Sequence, residues 1–199
     1  MKKIVYLLIP ASIAIFLCFE SIDNIWSQNS ENIGISSTAD KKSTYKFPDF
    51  YRGIYLTVDS ARNMEKLSRL VKMAKDARIN AMVLDIHTSR YDTCQVSREN
   101  VEYCIKNGIH PIARIVVFPD GLKRYPVPEP ELQARIALAE KACENGFREI
   151  QFDYIRFNDH GILRALTLQQ KYDFIEGFLA RARSQLKKYD AKIAADVFG

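Results

Sequence analysis

The sequence predicts an α/β fold of the (β/α)8 TIM-barrel type, of which these 199 residues supply the first four and a half βα units. Short apolar segments alternate with amphipathic helical segments from residue 47 onward, which is typical of a parallel sheet with helical crossovers. No glycine-rich turn follows the first strand, whereas the alternative doubly wound fold usually carries one there. Polar residues inside several strands also favour a barrel, because its interior is enclosed.

The predicted strands are short apolar runs bounded by polar turns, and the sequence ends on the fifth of them. They cover residues 52–58, 81–87, 110–118, 150–157 and 192–198. A complete barrel needs about 250 residues. We therefore expect this chain to be the first half of a longer protein or a truncated gene product, because an isolated half-barrel would expose strand edges and apolar surface.

The predicted helices lie between the strands and carry apolar residues at helical spacing. Ser60 is the expected N-cap of the first helix. The pairs Asn107-Gly108 and Asn145-Gly146 are expected to end the second and third helices. The four apolar stripes are Leu67, Leu70, Val71 and Ala74; Val101, Cys104 and Ile105; Leu132, Ile136, Ala139 and Cys143; and Leu168, Tyr172, Ile175, Leu179, Ala182 and Leu186.

The N-terminus differs in composition from the rest of the chain. Met1-Lys2-Lys3 precedes an uncharged, mostly apolar run from Ile4 to Phe19, which is the pattern of an export signal. The run is short for a membrane span of about 20 residues, but a retained anchor is the alternative. We assign residues 1–27 to a signal peptide or membrane anchor, 28–46 to a flexible polar linker and 47–199 to the half-barrel. The expected location is secreted or periplasmic, with membrane contact if the segment is retained.

Composition excludes some classes of partner. The chain is 47% hydrophobic and 27% charged, as in globular domains, and its net charge of +5 is spread along the sequence. No basic face with interleaved aromatic residues is present, so nucleic acid is not an expected partner. The four cysteines show no metal-type spacing and no disulfide framework, and Cys104 and Cys143 are expected to be small apolar helix residues. We expect no metal and no cofactor, and the sequence does not identify a protein partner.

Four charged residues fall on one face of four neighbouring strands. Side chains alternate across a strand, so the apolar neighbours of each charged residue should face the helices. Asp85, Arg114, Asp153 and Asp196 would then enter the barrel together, with Arg114 between Asp85 and Asp153. An arginine between carboxylates keeps buried charge paired. A structural ion network is the alternative role for Asp85 and Arg114, whereas Asp153 lies late in its strand, where barrels place catalytic groups.

Other polar and aromatic residues are expected near the same end of the strands. His87 is a candidate proton carrier or a structural histidine. Arg156 lies in the loop beyond Asp153 and suits an anionic or hydroxylated ligand, or an exposed position. Tyr55 and Tyr154 are both candidates for stacking on a sugar ring, although core packing is the expected role of Tyr154. Such a mouth suits polysaccharide hydrolysis, in which two carboxyl groups lie about 5–5.5 Å apart for retention or about 6.5–9.5 Å apart for inversion.

Five segments of the chain are similar to one known family, namely residues 51–55, 80–86, 111–118, 146–157 and 195–199. They resemble the putative glycosyl hydrolase domain family, a TIM-barrel group. The resemblance implies a glycosidase-like barrel in a bacterial envelope or secreted protein. By analogy with related glycosidases it implies that Asp153 is the acid/base, with its partner carboxylate on a later strand. The sequence departs from the family pattern at residues 87–92, where the family has an acidic, glycine-containing loop, and at Asn158, where proline is common.

The leading hypothesis from the sequence is a glycoside hydrolase that acts on a polysaccharide or cell-envelope glycan. Asp153 would be the general acid, Asp85 and Asp196 further carboxylates, and Arg114 the residue that orients them. One alternative is a carbohydrate-binding barrel without catalysis, which would bind the glycan through Tyr55 and nearby aromatic residues. The other is an inactive truncated fragment of such an enzyme.

Overall fold

The computed structural model describes residues 45–88, 93–119, 121–122, 124–157 and 161–196. The expected signal or anchor, nearly all of the expected linker and the last residues of the fifth predicted strand lie outside these ranges. Within them, no helix combines the length and the apolar content that crossing a membrane would require.

Five parallel strands form one sheet in which each strand neighbours the next in the chain. A doubly wound sheet reverses its strand order where its two halves meet. The order among the described strands does not reverse, which confirms the predicted barrel segment over the doubly wound alternative. The strands are β1 (Gly53–Leu56), β2 (Ala81–Asp85), β3 (His110–Val116), β4 (Glu149–Asp153) and β5 (Lys192–Ala195).

Helices follow the first four strands, as the alternating pattern predicts. In the described residues they are α1 (Val58–Ala61), α2 (Met64–Asp76), α3 (Arg98–Lys106), α4 (Glu129–Glu144) and α5 (Leu168–Leu186), with 3₁₀ turns at Gly161–Ala165 and Lys187–Tyr189.

The observed helix ends agree with two of the predicted end signals and disagree with the predicted start. The predicted N-cap at Ser60 is wrong, because the chain makes the single turn α1 there. Helix α2 begins after Asn63, whose side-chain oxygen accepts a hydrogen bond from the Lys66 N–H at 2.9 Å. The predicted ends of α3 and α4 are confirmed. Gly108 and Gly146 follow these helices with φ angles of 76° and 105°, a region that residues with a Cβ rarely adopt.

The two faces of the sheet have different environments. Met82, Leu84 and Phe152 belong to the main core beneath the helices and are fully buried. A small separate cluster of Ala81, Val83 and Ile112 lies on the opposite, inner face. The predicted alternation is therefore confirmed. Asp85 and Arg114 lie two residues beyond Val83 and Ile112, on the same inner face of the sheet. The described cysteines are free thiols, and Cys104 and Cys143 are buried on α3 and α4, as expected.

A hydrogen-bonded cluster closes the N-terminal ends of β3 and β4. His110 begins β3 and Glu149 begins β4, and the His110 Nε2 atom lies 2.9 Å from Glu149 Oε2. The Tyr45 hydroxyl lies 2.7 Å from His110 Nδ1, and the Tyr51 hydroxyl donates to Glu149 Oε2 at 2.8 Å. Burial and the nearby Glu149 carboxylate raise the pKa of Tyr45 to about 12, so this phenol stays neutral. These contacts fasten residues 45–51 beneath the sheet.

The variant His110→Ala should lower the free energy of unfolding by about 2–3 kcal/mol. It removes a buried ring and leaves the Tyr45 hydroxyl and the Glu149 carboxylate without their shared partner. Urea unfolding followed by circular dichroism measures the loss.

The matched control is Lys141→Ala, which breaks an exposed pair with Glu144 and should cost less than about 0.5 kcal/mol. Equally small losses in both variants would show that the cluster does not hold residues 45–51 in place.

Candidate active site

Arg114 joins three strands on the inner face of the sheet. Its Nη1 atom lies 2.5 Å from Asp85 Oδ1, and its Nη2 atom lies 2.5 Å from Asp153 Oδ2. Its Nε–H also donates to Asp153 Oδ2 at 2.7 Å. The pairing register of β2 and β3 places Asp85 directly beside Arg114. The predicted position of the guanidinium between two carboxylates is therefore confirmed.

The guanidinium remains charged although its side chain is only 14% exposed. Burial lowers the pKa of Arg114, but the carboxylates of Asp85 and Asp153 outweigh this effect and raise the pKa above its ordinary value. Hydrogen bonds between charged groups are about twice as strong as neutral ones. Arg114 therefore fixes the positions of both carboxylates.

Tyr55 extends this network to the first strand. Its hydroxyl donates a hydrogen bond to Asp85 Oδ2, so both oxygens of Asp85 are occupied. Burial, followed by this hydrogen bond, raises the pKa of Tyr55 to about 12. The guanidinium carbon of Arg114 also lies 5.4 Å from the centre of the Tyr55 ring, within the range of a cation–π contact.

Tyr154 does not pack into the core, so that expectation is wrong. Strand β4 ends at Asp153, and Tyr154 takes a left-handed conformation with a φ of 55°. Its N–H donates to Asp153 Oδ1 at 2.6 Å, and its ring centre lies 5.9 Å and 5.5 Å from the guanidinium carbons of Arg114 and Arg156. Conformations of this kind are sparsely populated and cluster at functional sites. The turn fixes the Asp153 carboxylate and places an aromatic ring beside it.

Asp196 meets Asp153 where β5 ends. The register pairs Phe152 with Ala195, and the Asp196 N–H donates to the Phe152 carbonyl at 3.0 Å, so the ladder continues by one residue. Burial first, and the Asp153 charge second, raise the pKa of Asp196 from 3.8 to about 6, and a hydrogen bond between the two carboxyl groups acts in the same direction. The Asp196 carboxyl group therefore ionises less readily than an ordinary aspartate.

Asp153 and Asp196 therefore lie beside each other at the ends of β4 and β5. The charge of Asp153 makes the ionisation of Asp196 less favourable. Asp85 lies across Arg114 from Asp153 and contributes negative charge from the other side.

His87 and Arg156 occupy the edges of this arrangement. His87 is buried, and its Nε2 atom accepts a hydrogen bond from the Val116 N–H at 3.0 Å, which requires a neutral ring with Nε2 unprotonated. Arg156 is exposed, and its backbone carbonyl accepts from the Leu122 N–H at 2.8 Å. No group of three His, Cys, Asp or Glu side chains within the described ranges is arranged to hold a metal ion.

Five residues singled out in the sequence thus share one network, and one further contributor was missed. Gln151 donates from Nε2 to Asp196 Oδ1 at 2.8 Å. Its position two residues before Asp153, on the same face of β4, is a signal that could have identified it. The turn at Tyr154 carries no such signal in the sequence, because a left-handed tyrosine is rare. The five predicted residues are Tyr55, Asp85, Arg114, Asp153 and Asp196.

Several solved structures are similar to this chain. A hypothetical protein from Ruminiclostridium thermocellum is 27% identical over 72% of this chain and 97% of that chain, with a TM-score of 0.56. L-ribulose 3-epimerase is 12% identical, with 73% of this chain and 49% of that chain covered and a TM-score of 0.51. A variant of the O-GlcNAc hydrolase from Thermobaculum terrenum is 17% identical over 73% and 34% of the two chains, with a TM-score of 0.49.

The fold is of the TIM-barrel type, and the described sheet is part of such a barrel. This chain spans about half the length of the epimerase. No protein with a curated description matches the sequence.

The family comparison covers the whole of the sheet. Residues 53–134 and 126–199 match the model of a family described as "Putative glycosyl hydrolase domain". These ranges include all five residues of the network around Arg114. The chain therefore belongs to the putative glycosyl hydrolase domain family and is glycoside-hydrolase-like.

Proposed function

We propose that this chain hydrolyses a glycosidic bond of a polysaccharide or cell-envelope glycan by carboxyl acid/base chemistry. The observation that carries the proposal is the placement of Asp153 and Asp196 side by side at the ends of β4 and β5, with Asp153 paired to Arg114. The pair lies where β4 and β5 end, and TIM-barrel enzymes build their active sites at the carboxyl ends of the strands. Membership of the family supports the reaction class.

The contacts favour Asp196 as the proton donor. Asp153 pairs with the Arg114 guanidinium and accepts the Tyr154 N–H, and both contacts stabilise a carboxylate. Asp196 has a pKa of about 6, so about half of it is protonated at pH 6 and about a tenth at pH 7, and a general acid works best when its pKa lies near the working pH. The hypothesis from the sequence gave the donor role to Asp153. We propose the reverse, with Asp153 as the ionised neighbour that keeps the proton on Asp196.

In the proposed step Asp196 gives its proton to the glycosidic oxygen as the bond from that oxygen to the anomeric carbon breaks. Water supplies the hydroxyl group that joins the anomeric carbon, and its proton returns to the Asp196 carboxylate. Positive charge develops on the sugar ring as the bond breaks. The fixed negative charges of Asp153 and Asp85 stabilise that charge, and Arg114 and Tyr55 hold them in place.

Tyr154 and Arg156 are the proposed contacts for the glycan beyond the carboxyl pair. Tyr154 is partly exposed and Arg156 is exposed, and the two side chains lie together at the end of β4. An aromatic ring suits the apolar face of a sugar, and a guanidinium suits hydroxyl or anionic substituents. We also propose that the protein works outside the cytoplasm. The pattern of residues 1–27 supports this location.

Substitutions should distinguish the catalytic roles of Asp153 and Asp196. Asp196→Asn should lower kcat/KM for methyl glycosides by about 10²–10⁴, because their leaving group needs a proton. The loss should be smaller for nitrophenyl glycosides, whose leaving group is stable as an anion. Asp153→Asn should reduce kcat/KM for methyl and for nitrophenyl glycosides alike, because it removes a fixed negative charge from the site. A panel of methyl and nitrophenyl glycosides of common sugars, assayed with the full chain, provides the measurement.

The matched control is Asp173→Asn, an exposed aspartate on α5 whose hydrogen bond is to Gln169, and it should not alter the rates. Wild-type rates on methyl glycosides in Asp196→Asn would reject Asp196 as the donor. Binding of glycans without any hydrolysis by the wild type would instead favour the carbohydrate-binding alternative.

The pH dependence of kcat/KM should also reflect the ionisation of Asp196. Because the donor must be protonated, kcat/KM should fall about tenfold per pH unit above the pKa of Asp196, which is about 6. A pH–rate profile in buffers of constant ionic strength tests this. A rate that keeps rising to pH 8 would contradict the assignment.

The raised pKa also predicts a change in stability that does not depend on any substrate. Between pH 4 and pH 6 the folded chain binds more protons at Asp196 than the unfolded chain, so the wild type loses stability as the pH rises through this range. Asp196→Asn stays neutral and avoids this loss. It should match the wild type at pH 4 and be more stable by about 1–2 kcal/mol at pH 7, after allowance for solvent screening at a half-buried site.

Urea unfolding of the wild type and of Asp196→Asn at the two pH values tests this prediction. The same stability difference at pH 4 and pH 7 would show that the pKa of Asp196 is not raised by folding.

A further inference from the structure

Gln151 is a buried amide directly beside the carboxyl pair. Its side chain is 4% exposed, and its Nε2 atom donates to Asp196 Oδ1 at 2.8 Å. The register of β3, β4 and β5 places it between Arg114 and Ala194, one layer below Asp153 and Asp196. Its Oε1 atom finds no hydrogen-bond partner within the described part of the chain. The amide therefore makes a single strong contact, and that contact is with Asp196.

The direction of this hydrogen bond assigns the two oxygens of Asp196. In a protonated carboxyl group the carbonyl oxygen accepts hydrogen bonds, whereas the hydroxyl oxygen donates its proton. An N–H that reaches Oδ1 makes Oδ1 the accepting oxygen and leaves the proton to Oδ2. We propose that Gln151 is a positioning residue that keeps the acid proton of Asp196 on Oδ2. Its effect on catalysis rests on the function proposed above.

The opposite orientation of the amide is less favourable. A half-turn of the Gln151 amide would place Oε1 against Oδ1, which requires the proton to move to that oxygen. The Nε2 group would then occupy the position of Oε1, where no partner is found among the described residues. Buried N–H donors without a partner are rarer than incompletely satisfied carbonyl oxygens. In the observed orientation the atom without a partner is the carbonyl oxygen Oε1, and an unpaired carbonyl oxygen costs less free energy than an unpaired N–H group.

The other groups that face Asp196 are Asp153 on β4 and Arg114 on β3. Burial and Asp153 raise the pKa of Asp196, whereas the Gln151 hydrogen bond and the Arg114 charge lower it. Removal of the amide donor should therefore raise this pKa and free the proton to occupy either oxygen.

A pH titration of the aspartate side-chain carboxyl carbons by ¹³C NMR tests the inference without a substrate. The resonance of Asp196 is the one that disappears in Asp196→Asn. In Gln151→Met its midpoint should rise by about 0.5–1 pH unit, because the hydrogen bond to the carboxylate is lost. Gln151→Glu should raise it further, because a third carboxyl group replaces the donor. This second variant, close to glutamine in shape, keeps the test valid if Gln151→Met does not fold.

The matched control is Gln133→Met, which alters a glutamine whose amide pairs with Gln185 away from the site. Its Asp196 midpoint should equal that of the wild type. A midpoint that does not move in either Gln151 variant overturns the inference.

Kinetics separates this inference from the proposed function. In Gln151→Met the alkaline limb of kcat/KM should move to higher pH by the shift that NMR measures, with little change in KM. A merely structural role would lower the rate equally at every pH and overturn the inference. If the NMR midpoints shift as expected but the wild type cleaves none of the glycosides, the position of the proton is supported and the proposed hydrolysis fails.

Discussion

The interaction of Arg114 with Asp85 and Asp153 is the constraint on which the inner face of the sheet depends. Each partner comes from a different strand, and all three side chains lie largely out of water. A carboxylate in such a place is costly unless it is paired and hydrogen bonded. The guanidinium satisfies two carboxylates with hydrogen bonds of 2.5 to 2.7 Å. The relative positions of β2, β3 and β4 are therefore fixed at the end of the sheet where the proposed chemistry takes place.

The charge count of this network adds to burial in raising the pKa of Asp196. Arg114 balances one of the two carboxylates that it binds, so Asp85 and Asp153 already leave an excess of negative charge. Asp196 enters next to Asp153, and its ionisation would place like charges side by side. Burial first, and the Asp153 charge second, accordingly raise the pKa of Asp196 to about 6. The arrangement that pairs one carboxylate with Arg114 thus makes the ionisation of its neighbour less favourable.

The alternation of side chains predicted much of this, because it is a local property of each strand. It placed Asp85, Arg114, Asp153 and Asp196 on one face before any contact was known. It could not give the contact between Asp153 and Asp196, because that depends on the register of β4 against β5, which the sequence of one strand does not contain. The same limit applies to the roles of the carboxyl groups, since their pKa values depend on these contacts.

Other features that the sequence did not predict arise from backbone geometry and from contacts between residues that are distant in the chain. The pattern of apolar residues continues past Asp153, so the strand was predicted to continue, whereas Tyr154 turns into a left-handed conformation. The cluster of Tyr45, His110 and Glu149 joins residues up to 104 positions apart, by the numbering of its members. No periodicity within one segment records such a contact.

The cluster at the N-terminal ends of the strands also fixes the side of the sheet on which the described chain begins. Tyr45 is held against His110 at the first residue of β3, whereas Asp153 and Asp196 lie at the other ends of their strands. The described part of the chain therefore begins on the side of the sheet opposite to Asp153 and Asp196. A fusion partner joined directly before Tyr45 would be attached at that opposite side, away from the ends of the strands that carry the two carboxyl groups.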